Sequence, residues 1–312
     1  MNPFPTPFAR GTGLLVIEVI NSNPNGDPDR ESDPRHRPDG HGEISPVSFK
    51  RKLRDLVENK EGIAWHELAR QLKLDSDKFH ILESRGRDRA TISGEIVTGT
   101  FVAKYWDARV FGNTFLEGKE GTVSIDGKAS RKPTKEESKA LRNSIKTGVV
   151  QFGVGLSIAP VEIKRDTNSN KAGVEEGKDQ GLAPMAFRVV RHGVYTMPFF
   201  VNPNAASKSG CTAKDIELLL RLVPPAYALN KSLIRSEVEI RHAWYVDHSN
   251  PLGSCSDFSL IRALTPTKKI EPKKPSTKWD DYNYPVELPA ELASCVGPLR
   301  DLVEEAHAAV RA

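Results

Sequence analysis

The chain has 312 residues, 38% hydrophobic and 28% charged, with 45 Lys and Arg against 41 Asp and Glu for a net charge of +4. That composition supports a folded protein of one large domain or two ordinary ones, and the mildly basic balance permits a nucleic-acid partner without demanding one. No apolar run approaches the roughly 20 residues that span a bilayer. The opening MNPFPTPFARGTG lacks the basic-then-apolar order of a secretory signal, and Cys211, Cys255 and Cys295 form no CxxC pair. A membrane partner, a disulfide framework and a zinc knuckle are therefore unsupported, and a cytoplasmic location is expected.

GLLVIEVI at 13–20 reads as a buried strand that ends in a polar loop of Asn, Pro, Gly, Asp and Arg. The first helix follows, with Ser45 suited to the N-cap, Pro46 to the first turn, and Phe49, Leu53, Leu56 and Val57 on one face. A second short helix is spaced by Ile63, Leu68 and Leu72, and a polar stretch then runs to about Gly99. TFVAKYWDARVFG reads as extended and packed; the Lys- and Gly-rich segment after it reads as a solvated insertion with a helix around Leu141.

GVVQFGVG and LSIAPVEI return as extended segments before KRDTNSNKAGVEEGKDQG departs as a charged arm, and MAFRVVRHGVYTMPFFVN comes back as strand. Thr212 and Asp215 are placed to cap a helix with Ile216, Leu219, Leu220 and Val223 on one face. EVEIRHAWYV alternates, setting Val238, Ile240, His242, Trp244 and Val246 against Glu237, Glu239 and Arg241, so His242 is expected in core or edge packing. A Pro- and Lys-rich stretch from Thr265 reads as an extended tail before a terminal helix. The fold class is α+β, a ferredoxin-like sheet with helices on one face, interrupted by large excursions.

Asp27, Asp29, Glu31 and Asp33, with His36 and His41, offer oxygen and nitrogen ligands, but their spacing fits neither an EF-hand nor a HExxH helix, and a solvated loop is the better reading. Lys50, Arg51 and Arg54 cluster opposite Phe49 and Leu53, just after exposed amides at a helix start, a pattern suited to phosphates. Arg109 lies two residues from Asp107 on the segment read as extended, where an ion pair and a ligand contact both remain open. With aromatics at only 7% and no base-stacking signature, a nucleic acid would be held by its backbone. There is no P-loop lysine and no Gly-x-Ser-x-Gly elbow.

Four motifs in order, NSNPNGDPDRESDPR, ISPVSFKRKLRD, YWDARVFG and GVVQFGVGLSIAPVEI leading into the charged arm, resemble the repeated backbone subunit of the type I CRISPR Cascade complex, in the RAMP superfamily. Within that group the pattern is most similar to type I-C and touches residues 13–263. The resemblance implies an RRM-like palm with helical finger insertions and a protruding thumb hairpin. It implies copies stacked head to tail along the spacer of a CRISPR guide RNA, each thumb displacing a nucleotide, with the remaining bases presented to a target DNA strand. Partners would be the guide RNA, the target DNA, neighbouring copies and other Cascade subunits, with no catalytic residue, metal or cofactor.

Carried onto this sequence, the palm with its insertions is 1–264, the finger region about 60–98, the lysine-rich insertion about 117–144 and the thumb about 163–187, with the tail and helix at 265–312. Palm contacts would fall on Asn21, Asn23, Asn25, Ser48, Lys50, Arg51, Arg54, Gln151 and Phe152, with Arg109 as a further candidate. Thumb contacts would fall on Arg165, Asn168, Asn170, Lys171 and Met185. The insertion and the tail depart from the family's pattern. The principal alternative is a type III-like endoribonuclease using Asp27, Asp29 or Asp33 to assist attack of a ribose 2′-OH. A general RNA-binding protein outside CRISPR is a third reading.

Overall fold

The computed structural model describes residues 7–113, 122–125, 130–142, 146–171 and 182–311, with side chains described except at 146, 166–171, 182–186 and 310–311. It is a mixed α/β protein with an antiparallel sheet. Strand β1 (Gly11–Ser22) is central, paired on one side with β6 (Leu182–Val201) and on the other with β7 (Val238–Asp247). Beyond β6 lie β3 (Val150–Phe152) and β4 (Gly155–Pro160), with β2 (His41–Ile44) outside β4. The two-residue β8 (Arg300–Asp301) lies beyond β7. Strand β5 (Ile163–Lys171) pairs only with the outer part of β6, from Ile163 opposite Val190 to Lys171 opposite Leu182. One 20-residue strand thus forms half of a projecting two-stranded arm and then runs through the middle of the sheet.

Helix α1 (Pro46–Glu58) starts where expected, with Ser45 accepting from the Ser48 N–H and Pro46 in the first turn. It packs Phe49, Leu53, Leu56 and Val57 on one sheet face, together with Ile216 and Leu219 of α7 (Ala213–Leu222). Thr212 and Asp215 make the reciprocal capping box of α7. Between these helices come α2 (Ile63–Leu72), α3 (Arg89–Thr98), α4 (Phe101–Lys104), α5 (Trp106–Phe111) and α6 (Lys135–Arg142). The polar stretch before Gly99 contains α3, and the segment around YWDARVFG, read as extended, is corrected to helix over Trp106–Phe111. The described parts of the insertion are not wholly solvated: Leu141 and Val123 are buried, and a Cβ on Gly94 of α3 would meet the Ser124 carbonyl at 1.9 Å.

The other sheet face is also covered. Helix α8 (Asp257–Leu264) and residues of the Pro- and Lys-rich stretch, including Tyr282 and Leu288, pack on Leu14, Val16, Trp244 and Val246. The expectation of helices on one face is corrected here, because β1 is apolar on both faces and both must leave water; the stretch read as an extended tail lies along that second face. The alternation read in β7 is corrected too. Register shifts between Val16 opposite His242 and Ile17 opposite Ile240, leaving Arg241 as a bulge. One extra residue reverses the phase. Val238, Ile240, Ala243 and Tyr245 face the helices, while Trp244 and Val246 face the C-terminal cover. His242 stacks on Trp244 at 4.7 Å and meets Asp301 Oδ2 at 2.7 Å. Helix α9 (Leu302–Arg311) ends the chain, and among the described residues no helix is long and apolar enough to cross a membrane.

Candidate nucleic-acid interface

The polar loop between β1 and α1 is built by its own amides. Asn25 Oδ1 accepts the Ser45 N–H at 2.8 Å and its Nδ2 donates to the Gly26 carbonyl at 2.9 Å. Asn23 Nδ2 donates to the Ser32 carbonyl at 2.8 Å. Both asparagines are buried, so these amide bonds hold the loop against the start of α1. Asn21 is exposed with φ of 42°, a left-handed turn that asparagine tolerates. The Asn23 Oδ1 is buried and has no hydrogen-bond partner among the described residues.

The cations read from α1 separate into different roles. Arg51 is tied within the protein to Asp55, to Glu58 and to the Glu83 carbonyl. Arg54 Nε donates to Asp107 Oδ2 at 2.8 Å, and that buried carboxylate also accepts the Leu82 and Glu83 N–H groups. Lys50 has no carboxylate partner among the described residues; its ammonium lies 5.1 Å from the Phe111 ring centroid. Burial, reinforced by neighbouring Arg54, pulls the Lys50 ammonium below the ordinary lysine range. Ser48 is half-buried beside it, its N–H donated to the Ser45 cap.

Arg109 is a fold residue by placement. On helix α5, positions two apart point to nearly opposite sides, so Asp107 faces Arg54 while Arg109 faces Asp215. All five guanidinium N–H groups have acceptors: Nε and Nη2 on Asp215 at 3.1 and 2.7 Å, Nη1 on the Val102 and Ala103 carbonyls, and Nη2 on Lys78. No donor remains for a ligand. Phe152, carried over as a palm contact, is placed in the core, stacked on Phe199 at 5.3 Å and tilted on Phe49 at 5.1 Å. Its neighbour Gln151 is exposed, its Nε2 donating to the Gly148 carbonyl at 3.3 Å.

The acidic loop meets the arm. Arg165 Nη2 on β5 donates to Asp33 Oδ2 at 2.6 Å, Arg188 Nε on β6 approaches Asp33 Oδ1 at 3.5 Å, and Arg188 also pairs with Glu31. The hydrogen bond from Arg165 holds the Asp33 carboxyl below the usual carboxylate range, aided by the charges of Arg165 and Arg188 against the opposing effect of burial. Asp27 accepts the Asp29 N–H and caps a short turn. Among the described residues no group of three or more His, Cys, Asp or Glu converges as a metal site requires. The side chains of Asn168, Asn170, Lys171 and Met185 lie outside the described residues, although their backbones pair across the arm.

Two cations escaped the sequence reading. Lys52 is 7% exposed at 5.1 Å from the Tyr227 ring centroid, and Arg235 Nε donates to the Asn23 carbonyl at 3.1 Å. Lys52 was legible in principle: it stands three residues after Phe49 and four before Leu56, on the apolar stripe rather than the solvated face. Nothing in the sequence near Arg235 signals its neighbour across the fold.

Comparison with known proteins assigns the class. Residues 9–287 match the family model of CRISPR-associated protein Cas7, and the chain belongs to that family. The CRISPR-associated protein Cas7 of Haloferax volcanii is 25% identical over 241 residues, which are 69% of this chain and 63% of the relative, so the match spans less than two thirds of that protein. Among solved structures, a chain of a "CRISPR RNA-guided surveillance complex, pre-nicking" is 13% identical over 77% of this chain and 79% of its own, with a TM-score of 0.41. A chain of a "CRISPR RNA-guided surveillance complex" is 14% identical over 81% and 75%, at 0.39. A chain of the type III-B Cmr-beta complex bound to cognate target RNA is 9% identical over 77% and 61%, at 0.36.

Proposed function

We propose that this chain is a non-catalytic backbone subunit that polymerises along a CRISPR guide RNA in a type I surveillance complex, most similar to type I-C. Family membership over residues 9–287 carries the reading. The antiparallel strand order β7, β1, β6, then β3 and β4, with α1 and α7 packed on one face, supports reading the sheet as an RRM-like palm. The finger region at 60–98, the insertion at 117–144, the thumb at 163–187 and the cover at 265–312 are its additions. The usual stacking face of such a sheet is closed by α8 and the C-terminal cover, which favours a grip on sugar and phosphate over base stacking. Lys50, Ser48 and Gln151, with the exposed Asn21, are the palm side chains best placed for that grip; Asn23 and Asn25 act by shaping the loop.

Neighbouring copies, other Cascade subunits and a target DNA strand paired with the guide complete the proposed assembly. Against the endoribonuclease reading stands Asp33, whose carboxylate is already engaged by Arg165 and flanked by Arg188, leaving it a poor base for a ribose hydroxyl. The test is assembly on guide RNA followed by negative-stain microscopy. Wild type is expected to form regular filaments, and Lys50→Ala to weaken assembly while keeping the wild-type unfolding midpoint. Solitary protein with no RNA affinity at low salt overturns the proposal. Regularly spaced, metal-dependent cuts in complementary RNA, lost in Asp27→Asn, Asp29→Asn or Asp33→Asn, would favour the nuclease.

A further inference from the structure

At the C-terminal end of α1 the chain encloses a cavity of about 290 Å³. Its walls come from Glu58 and Lys60, from the loop at 80–88, from the start of α3, and from Lys104 and Tyr105. Glu58 stands eight residues after Lys50, so the cavity lies about 12 Å further along the helix axis than the proposed RNA grip. Ile81, Leu82 and Ile92 are buried and form its apolar side. The volume is at the lower end of the roughly 300–1,000 Å³ typical of small-molecule sites.

Charges of both signs line this cavity, but its acceptors and donors are not equally engaged. Asp88 accepts the Ala90 and Thr91 N–H groups at 3.2 and 2.9 Å and so caps α3. Glu58 is held by Arg51, and Glu95 accepts from Lys104 and from the Tyr105 hydroxyl. On the donor side, Lys60 Nζ lies 3.1 Å from the Trp65 ring centroid and donates to the Phe79 carbonyl at 2.8 Å, which leaves two of the three ammonium protons. Arg87 uses Nη1 alone, on Glu83 at 3.0 Å and the Leu82 carbonyl at 3.3 Å, so Nε and Nη2 have no acceptor among the described residues. The half-buried His80 ring has no hydrogen-bond partner among the described residues either. A recess whose carboxylates are engaged and whose donors are not is built to receive an anion.

We propose that this cavity binds a small phosphomonoester, its phosphate held by Lys60, Arg87 and His80 and its organic body lying against Ile81, Leu82 and Ile92. The three terminal oxygens of a phosphomonoester match donors that arrive from three separate places in the chain, and its charge near −2 at neutral pH answers the two cations and the imidazole. A phosphodiester within a strand carries one charge and continues at both ends, so it matches a recess of this size less well. The site does not depend on the RNA-binding reading above. Burial, then the charges of Lys104 and Lys60, lower the His80 pKa, with Asp77 and Glu95 opposing. A dianion beside the ring favours its charged form, so His80 reports occupancy directly.

The experiment follows the imidazole resonances of the full chain by NMR from about pH 5 to 8, with His80 identified by the signal that His80→Gln removes. Saturating adenosine 5′-monophosphate is expected to raise the His80 titration midpoint by about 1 pH unit, equivalent to tenfold tighter binding to the protonated ring, and adenosine to leave it in place. In calorimetry, Lys60→Met, which keeps the stem on Trp65, and Arg87→Gln, on the exposed loop, are each expected to weaken binding of the monophosphate about tenfold. Arg87→Gln should leave affinity for an oligouridine unchanged. A His80 midpoint unmoved by the monophosphate, or wild-type affinity for it in Arg87→Gln, overturns the site. An oligouridine without terminal phosphates that moves His80 as far as the monophosphate does overturns the small-molecule assignment in favour of a strand.

Discussion

Arg109 separates a fold role from a ligand role most sharply. Arg109→Met preserves the volume of the stem but removes five hydrogen bonds, two of them to a carboxylate that is 1% exposed. Breaking a buried pair from one side costs about 3–5 kcal/mol, because the surviving charge stays desolvated. Here Asp215 keeps the Thr212 N–H and hydroxyl, both at 2.8 Å, which softens that loss. The carbonyls of Lys78, Val102 and Ala103 lose their donor at about 1 kcal/mol each where water cannot reach them. A destabilisation of about 4 kcal/mol follows, a large share of the roughly 5–15 kcal/mol of a typical fold. Urea unfolding followed by tryptophan fluorescence should show the midpoint fall steeply. Replacing Asp215 by Asn in the same chain should recover part of it, since a neutral amide leaves no orphaned charge and its Oδ1 can still accept from Thr212. An Arg109→Met protein with the wild-type midpoint and lost RNA affinity would refute the argument and return Arg109 to the ligand.

Phe152→Ala should cost about 3–5 kcal/mol by emptying the space between Phe49, Phe111 and Phe199, read as a lowered thermal midpoint; a surface-like loss under about 1 kcal/mol would contradict its core position. Asp33 has a lowered carboxyl pKa, so its contribution is present above the ordinary aspartate value of about 4 and is lost as pH falls through the folded value. The Arg165 side chain is 58% exposed, so solvent screening keeps the pair weak. Hydrogen exchange at the base of the arm, corrected for intrinsic rate, should therefore rise modestly on acidification in wild type and be raised already at neutral pH in Asp33→Asn; identical profiles would remove Asp33 as an anchor.

The elements that were legible are those with strong local chemistry. Ser45 and Pro46 set the start of α1, the Thr212 and Asp215 pair sets α7, and the β-branched run sets β1. The bulge at Arg241 was not legible, because a strand's alternation shows a period but not a partner that interrupts it. The site was half legible. A basic cluster on α1 shows in the sequence, and the Arg51 to Asp55 pair follows from four-residue spacing, but Asp107 and Asp215 claim Arg54 and Arg109 from across the fold. Cation counts name candidates; only tertiary neighbours tell which are already engaged.

The unbroken run of β6 has a mechanical meaning. A pull on the projecting arm would be transmitted without a joint to the centre of the molecule, where it would load the ladder with β1 lengthwise. Bonds loaded in shear must yield together rather than one at a time, so a force on the arm would meet a stiff lever instead of a swinging tether.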